Sequence, residues 1–332
     1  MPARIALPQI SSTAYEHPAD RAALNALRSL PGFDEVVRKI AGFFGERGVR
    51  QVFLANAVRV GPAQRPKLDA LYTEVLETLD WPTRPELYVS QTPVVNAMAV
   101  GFDQPFIVLN SGLLRTLDRE EQRAVIAHEL GHIMSGHATY TTLALLLMII
   151  GAKNLPFLAG LALMPFELAL FEWYRKAEFS ADRAGLLGSQ DPNATMGVFL
   201  KFAGGRIEPG DDDSISLDAF LTQAAEYEAP GGAIDKIWQL LNTAFRSHPF
   251  ATVRAGELQR WIQSGEYDRI LRGDYPRRGT EKSRPLGDDF ADAAGYYGGQ
   301  ARETASTFSQ SFGRARSAFD EALKRRTGQS GQ

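Results

Sequence analysis

Five histidines are this chain's whole stock of imidazoles: His17, His128, His132, His137 and His248. Two of them stand four residues apart in His128-Glu129-Leu130-Gly131-His132. On a helix that spacing puts both rings on one face, within reach of a single metal ion. Glu129 follows the first of them and can address a metal-bound water as the general base of a hydrolysis. A catalytic zinc site takes three protein ligands and keeps one position for water. The chain has no cysteine, so the third ligand must be His, Asp or Glu. The segment Glu178-Phe179-Ser180-Ala181-Asp182 supplies two carboxylates at the same helical spacing. Glu178 is expected to complete the ligand set. Asp182 is expected to accept a hydrogen bond from a liganding imidazole, which fixes its tautomer and raises its basicity. His137 falls five residues beyond His132, off the metal-facing stripe, and is not expected to be a ligand. His17, in a proline-flanked segment, is read as solvated.

The elements that must position these residues follow from periodicity. Asp118 to about Gly136 reads as a helix, with Asp118 as its cap, Glu121 completing a capping box, and Val125, Ile126, Leu130, Ile133 and Met134 as its buried side. Glu167 to Leu187 reads as the helix carrying Glu178. Helical spacing also marks Asp20–Leu30, Phe33–Phe44, Leu68–Leu79, Ala233–Arg246, Ala251–Gln263 and Thr307–Arg325. Between them Glu86–Ser90, Asn96–Gly101 and Phe106–Leu109 are short β-rich runs, expected to form a small antiparallel sheet with an exposed edge. Thr141–Leu170 is the most apolar stretch, interrupted by Lys153, Asn154, Pro156, Pro165 and Glu167. A spanning helix needs about 20 predominantly apolar residues, which neither half supplies. The stretch is either a pair of buried helices or a hairpin that dips into a membrane or covers the cleft.

With 332 residues the chain is long enough for a large domain with elaborations. Its net charge of -3, without a basic stripe, gives no footing for nucleic acid. The absence of cysteine excludes disulfides and thiolate chemistry and fits a reducing compartment. The N-terminus lacks the basic start and apolar run of a secretory signal, so export by that route is not expected. Beyond about residue 272 the composition shifts to Gly, Arg, Ser and Asp.

Several of these segments, in this order, resemble the M48 metallopeptidases, the group that includes the HtpX heat-shock protease and the CAAX prenyl protease. Asn96-Ala97-Met98-Ala99-Val100-Gly101 resembles the family's edge strand, and Gly112-Leu113-Leu114 the turn before its active helix. HELGH followed by Gly136-His137, the Glu178–Asp182 helix, and Ser247-His248-Pro249-Phe250 with Arg254 continue the likeness, which covers roughly residues 85 to 262. The resemblance implies that His248 lies near the metal, as a donor to the developing oxyanion or as an occupant of the open metal position. Arg254 can orient a carboxylate such as Asp182 or cap a helix. Asn96, Ala97, Met98 and Ala99 would offer main-chain groups to an extended peptide. The Thr141–Leu170 stretch departs from the spanning helices of membrane members, being shorter and interrupted.

The reading that results is a mostly helical α+β, zincin-like metallopeptidase domain over residues 85–265. A helical segment (1–84) precedes it, and a partly disordered tail (266–332) follows. The expected activity is zinc-dependent endopeptidase cleavage of extended or unfolded polypeptides, in the cytoplasm, with peripheral membrane association through Thr141–Leu170 where that stretch meets lipid. The competing reading is a chaperone-like peptide-binding protein that keeps the metal and does not cut.

Overall fold

The computed structural model describes residues 4–153, 157–205, 215–228 and 250–280. The expected helices at Ala233–Arg246 and Thr307–Arg325, and His248 itself, lie outside these residues.

Helix α5 (Arg119–Met134) carries the HELGH motif and starts as its sequence dictates. The Asp118 carboxylate accepts from the amides of Glu120 and Glu121, and the Glu121 side chain accepts from the Asp118 amide. These bonds satisfy helix donors that would otherwise be orphaned. The preceding elements are α1 (Pro18–Arg28), α2 (Phe33–Asn56, kinked at Gly45), α3 (Pro66–Thr78) and the short α4 (Ser111–Thr116). After it come α6 (Ala138–Lys153), α7 (Phe157–Ser189), α8 (Pro192–Gly204), α9 (Leu217–Glu228), α10 (Ala251–Gln263) and α11 (Glu266–Leu271).

The sheet has four strands: β1 (Ala57–Arg59), β2 (Leu87–Ser90), β3 (Ala97–Val100) and β4 (Phe106–Asn110), in the order β1-β2-β4-β3. It is mixed rather than antiparallel, because β2 and β4 run parallel, Leu87 beside Ile107 and Ser90 beside Asn110. The chain leaves β2, forms β3 on the far edge, and returns antiparallel to it as β4, which lands between the two. β1 is a further strand, hidden at the end of a helical run. Leu87, Val89, Ala97, Ala99, Ile107 and Leu109 face the core beneath α5. Tyr88, Val100, Phe106 and Val108 pack on the other face with Phe53 of α2 and Leu145 of α6. Burial on both faces explains why β4 reads as a continuous apolar run.

The packing of α5 on α7 sets the site. Small residues line the crossing: Ala124, Ala127 and Gly131 on one helix, Ala181, Ala184, Gly185 and Gly188 on the other. A methyl group at Gly131 would collide with the Cβ of Ala184, and one at Gly185 would lie 2.9 Å from the Ala124 carbonyl. Nothing larger than glycine fits at either place without separating the helices. The close approach lets one turn of α7 present its carboxylates to the imidazoles of α5.

Within the apolar Thr141–Leu170 stretch, α6 runs to Lys153 and α7 begins at Phe157. Leu143, Ala144, Leu147, Phe166, Ala169 and Leu170 are buried against Leu27 of α1, Leu30 just after it, Phe33 and Trp173. Among the described residues no helix is long and apolar enough to cross a membrane. The N-terminal arm puts Leu7, Ile10 and Tyr15 in the same core as α3 and α5 and meets α7 at Ser180, Arg183 and Ser189. It also meets the chain's later part: the Ser11 amide donates to the Pro276 carbonyl and the Arg278 amide to Gln9.

Candidate metal centre

His128, His132 and Glu178 converge, with one ligand atom of each lying within 4.8 Å of the others. The two Nε2 atoms are 3.2 Å apart. Glu178 Oε1 lies 3.3 Å from His132 Nε2, and Glu178 Oε2 3.7 Å from His128 Nε2. A tetrahedral ion with bonds of about 2.1 Å has ligand–ligand edges of about 3.4 Å, and the closest approaches here are of that order, each ring meeting a different oxygen of the Glu178 carboxylate. Two imidazoles and a carboxylate are also the donor types a catalytic zinc accepts. The residues therefore fit the group that the sequence implies.

The other ring nitrogen of each histidine is engaged. His128 Nδ1 faces Asp182 Oδ1 at 3.1 Å. Arg254, on the first turn of α10, grips the same carboxylate from the far side: Nε donates to Oδ2 at 2.9 Å and Nη2 to Oδ1 at 2.5 Å. Its third nitrogen lies 3.0 Å from Glu178 Oε2. Arg254 thus contacts two carboxylates, Asp182 and Glu178. His132 Nδ1 meets His137 Nδ1 at 3.1 Å.

Burial shapes the charges. It pushes the His132 imidazole down to about 4, which keeps the ring neutral and its lone pair free for a metal. Burial alone would raise the Asp182 carboxyl, but Arg254, by its charge and its hydrogen bonds, holds it below the usual range. His128 runs the other way: burial alone would lower it, but the hydrogen bond to Asp182 and the charges of Glu178 and Asp182 outweigh burial and raise it.

A cleft of about 1020 Å³ opens over these groups. His128, Glu129, Glu178 and Arg254 lie along its floor, with Asn96 and Ala97 at one side and Val198, Phe199 and Phe202 of α8 among its apolar walls. Glu129 is buried at the cleft, one residue after His128. Strand β3 ends the sheet, paired among the described residues with β4 alone. The Asn110 amide donates to the Asn96 carbonyl opposite it. By antiparallel alternation, Met98 also points its main-chain groups at β4, while Ala97 and Ala99 point theirs to the open edge.

Some participants were not legible in the sequence. Tyr174 lies one turn before Glu178, its ring stacked 6.2 Å from that of His132, and its hydroxyl is raised by burial and by the charges of Glu178 and Glu129. Its spacing of four residues from Glu178 was the available signal. His17 is not solvated: it is fully buried, Nδ1 accepting from the Ala19 amide as the cap of α1 and Nε2 3.5 Å from Glu257. The proline after it starts a helix rather than an open loop.

The model of Peptidase family M48 matches residues 62–262. The match begins earlier than the motifs alone suggest and takes in α3, whose Glu74 pairs with Arg119 and Arg123 of α5. Plastoglobule-localized metallopeptidase 48, chloroplastic, of Arabidopsis thaliana is 35% identical over 262 residues, which is 78% of this chain and 75% of that protein. A protease HtpX homolog of Moorella thermoacetica is 24% identical over 261 residues, 70% of this chain and 84% of that protein. Another from Pseudarthrobacter chlorophenolicus is 27% identical over 227 residues, 62% of this chain and 75% of its own. No solved structure matches the chain. With the family model covering more than half of its length, and a histidine pair and a glutamate gathered at one point, this chain belongs to the M48 family of metallopeptidases, enzymes that hydrolyse polypeptides.

Proposed function

We propose that the chain is a zinc-dependent endopeptidase acting on extended or unfolded polypeptides, with one Zn²⁺ held by His128, His132 and Glu178. The observation that carries this reading is the convergence of one ligand atom each of His128, His132 and Glu178, within 4.8 Å of one another, beside Glu129 in the cleft. A zinc ion held by these residues would supply a water that ionises near neutral pH and a Lewis acid for the scissile carbonyl. Glu129 takes the proton of the attacking water and later hands it to the leaving amine. Asp182 and Arg254 hold His128 in the tautomer that turns Nε2 to the metal. The open edge of β3, at Ala97 and Ala99, pairs with the substrate main chain, with Asn96 at its head. Pairing of this kind selects extended backbone more than side-chain identity. His248, beyond the described residues, is assigned the oxyanion role by its place in the family motif.

The same reading places the protein in the cytoplasm, peripherally at a lipid surface through the apolar α6–α7 region. The plastoglobule location in the name of the Arabidopsis thaliana relative supports the lipid contact. Flotation with lipid vesicles tests it, and protein that stays with the soluble fraction refutes it.

The test of activity is cleavage of an unfolded, fluorogenic casein by zinc-loaded protein, with Glu129→Gln and chelated protein as controls. Cleavage lost in both controls is the expected result. Zinc bound at one equivalent without cleavage of any unfolded chain would favour a peptide-binding protein instead.

A further inference from the structure

Helix α5 ends in a way that brings a second histidine to the first. Gly136, at φ +69°, takes the left-handed turn after the helix. The His137 amide then donates to the His132 carbonyl at 2.8 Å and the Gly136 amide to that of Ile133 at 3.0 Å. This pair of bonds is a Schellman motif, which lays the residue after the glycine over the last helical turn. Here the residues so apposed are His137 and His132, Nδ1 to Nδ1 at 3.1 Å.

His137 in turn reaches Asp20, Nε2 to Oδ2 at 3.1 Å. Asp20 is 1% exposed, and Trp173 and Ser180 of α7 fix its carboxylate. Trp173 Nε1 donates to Oδ1 at 3.0 Å, and Ser180 Oγ to Oδ2 at 2.5 Å while itself accepting from the His17 amide. If His132 turns Nε2 to the metal, its Nδ1–H donates to His137 Nδ1, and His137 Nε2–H donates to Asp20. Every proton in this chain then has one acceptor.

We infer that Asp20 and His137 are positioning residues of the metal centre, a two-step support that does for His132 what Asp182 does directly for His128. The inference rests on the ligand assignment made above and extends it to α1. Asp20 stands outside residues 62–262, the part that matches the family, so the carboxylate comes from the chain's own N-terminal arm. It explains why a buried aspartate, a buried tryptophan nitrogen and a buried serine meet behind His132 rather than apolar groups.

The experiment measures zinc affinity by chelator competition, and the visible spectrum of the cobalt-substituted protein, for wild type, Asp20→Asn, His137→Asn, His137→Phe and Asp20→Asn/His137→Asn. The amide side chain of the His137→Asn variant can still accept from His132 but lacks the far ring nitrogen that donates to Asp20. Asp20→Asn and His137→Asn should each weaken zinc binding by about 10- to 100-fold and shift the cobalt bands, and His137→Phe should do more. The double variant should be no weaker than the singles, since both break one chain. Melting of the chelated proteins separates folding from this effect. Affinities that follow the apo melting temperatures, or effects of the two sites that multiply, would overturn the inference. Asp182→Asn serves as the reference: zinc affinity reduced by it and untouched by Asp20→Asn would defeat this inference alone. A wild-type protein that binds no zinc would defeat the ligand assignment as well.

Discussion

Arg254 clasps both oxygens of Asp182, at 2.9 and 2.5 Å, and reaches Glu178 with its remaining nitrogen at 3.0 Å. One guanidinium thus neutralises two buried carboxylates that sit one helical turn apart. Replacing it by Met keeps the stem and removes the charge. Losing one partner of a buried pair costs about 3–5 kcal/mol. Arg254→Met should lower the stability of chelated protein by about that much, and of zinc-loaded protein by less, because the metal supplies positive charge to Glu178. Denaturant unfolding with and without zinc checks this, and equal losses in both states would contradict it.

Glu129→Gln is close to isosteric and leaves the ligand triangle intact. It should retain one zinc per chain and lose at least about a hundredfold in kcat. Metal analysis beside casein turnover reads both quantities. Turnover within a few-fold of wild type would remove Glu129 from the role of base.

The α5–α7 crossing predicts a compensating pair. Gly131→Ala drives a methyl group into the Ala184 Cβ and should cost about 1–3 kcal/mol, with a loss of zinc affinity as Glu178 is pushed away. Ala184→Gly added to it should restore most of both. Failure of the second change to rescue would place the strain elsewhere.

His17 predicts an acid-sensitive fold. Its buried ring is lowered to about 4, by desolvation first and by Arg183 second, against the pull of Glu257. The unfolded ring titrates near 6.5, so between these values the unfolded state binds the extra proton. The stabilisation is complete above about pH 6.5 and is lost as pH falls towards 4, roughly 3 kcal/mol in all. Protonation would also abolish the cap that Nδ1 gives the Ala19 amide. His17→Asn keeps a capping oxygen without titrating. Its melting temperature should change less between pH 7 and pH 5 than that of the wild type. Parallel pH profiles for the two would show that another group titrates.

The β3 edge predicts how substrate chemistry matters. A peptide N-methylated at residues facing Ala97 and Ala99 loses donors to that edge. It should raise KM several-fold while an altered side chain at the same place has a smaller effect. Equal sensitivity to both would argue for side-chain pockets instead.

Local rules reached much of this architecture from sequence. The capped motif helix, the second helix with its carboxylates and the three β-runs follow from periods and caps that act over a few residues. The parallel pairing of β2 with β4 does not, because it depends on which strand the chain inserts between on its return. Nor do the contacts of Asp20 and His17, since their partners lie 117 and 240 residues away, at His137 and Glu257. Polar residues such as these look like solvated ones until the fold buries them. For His132 and His137 the glycine between them was a visible sign of a helix end; that the reversed chain would stack the two rings was not.

The arm that carries Asp20 is anchored at its far end by residues from the other end of the described chain, Ser11 to Pro276 and Arg278 to Gln9. Tyr275 and Arg277 add bonds to the Pro8 carbonyl. If this seam opens as one unit, the amides of Ser11 and Arg278 should exchange with solvent at matching rates. A change in how often this seam is closed would therefore reach the arm that carries Asp20 without touching the cleft, and needs no moving lid to do so.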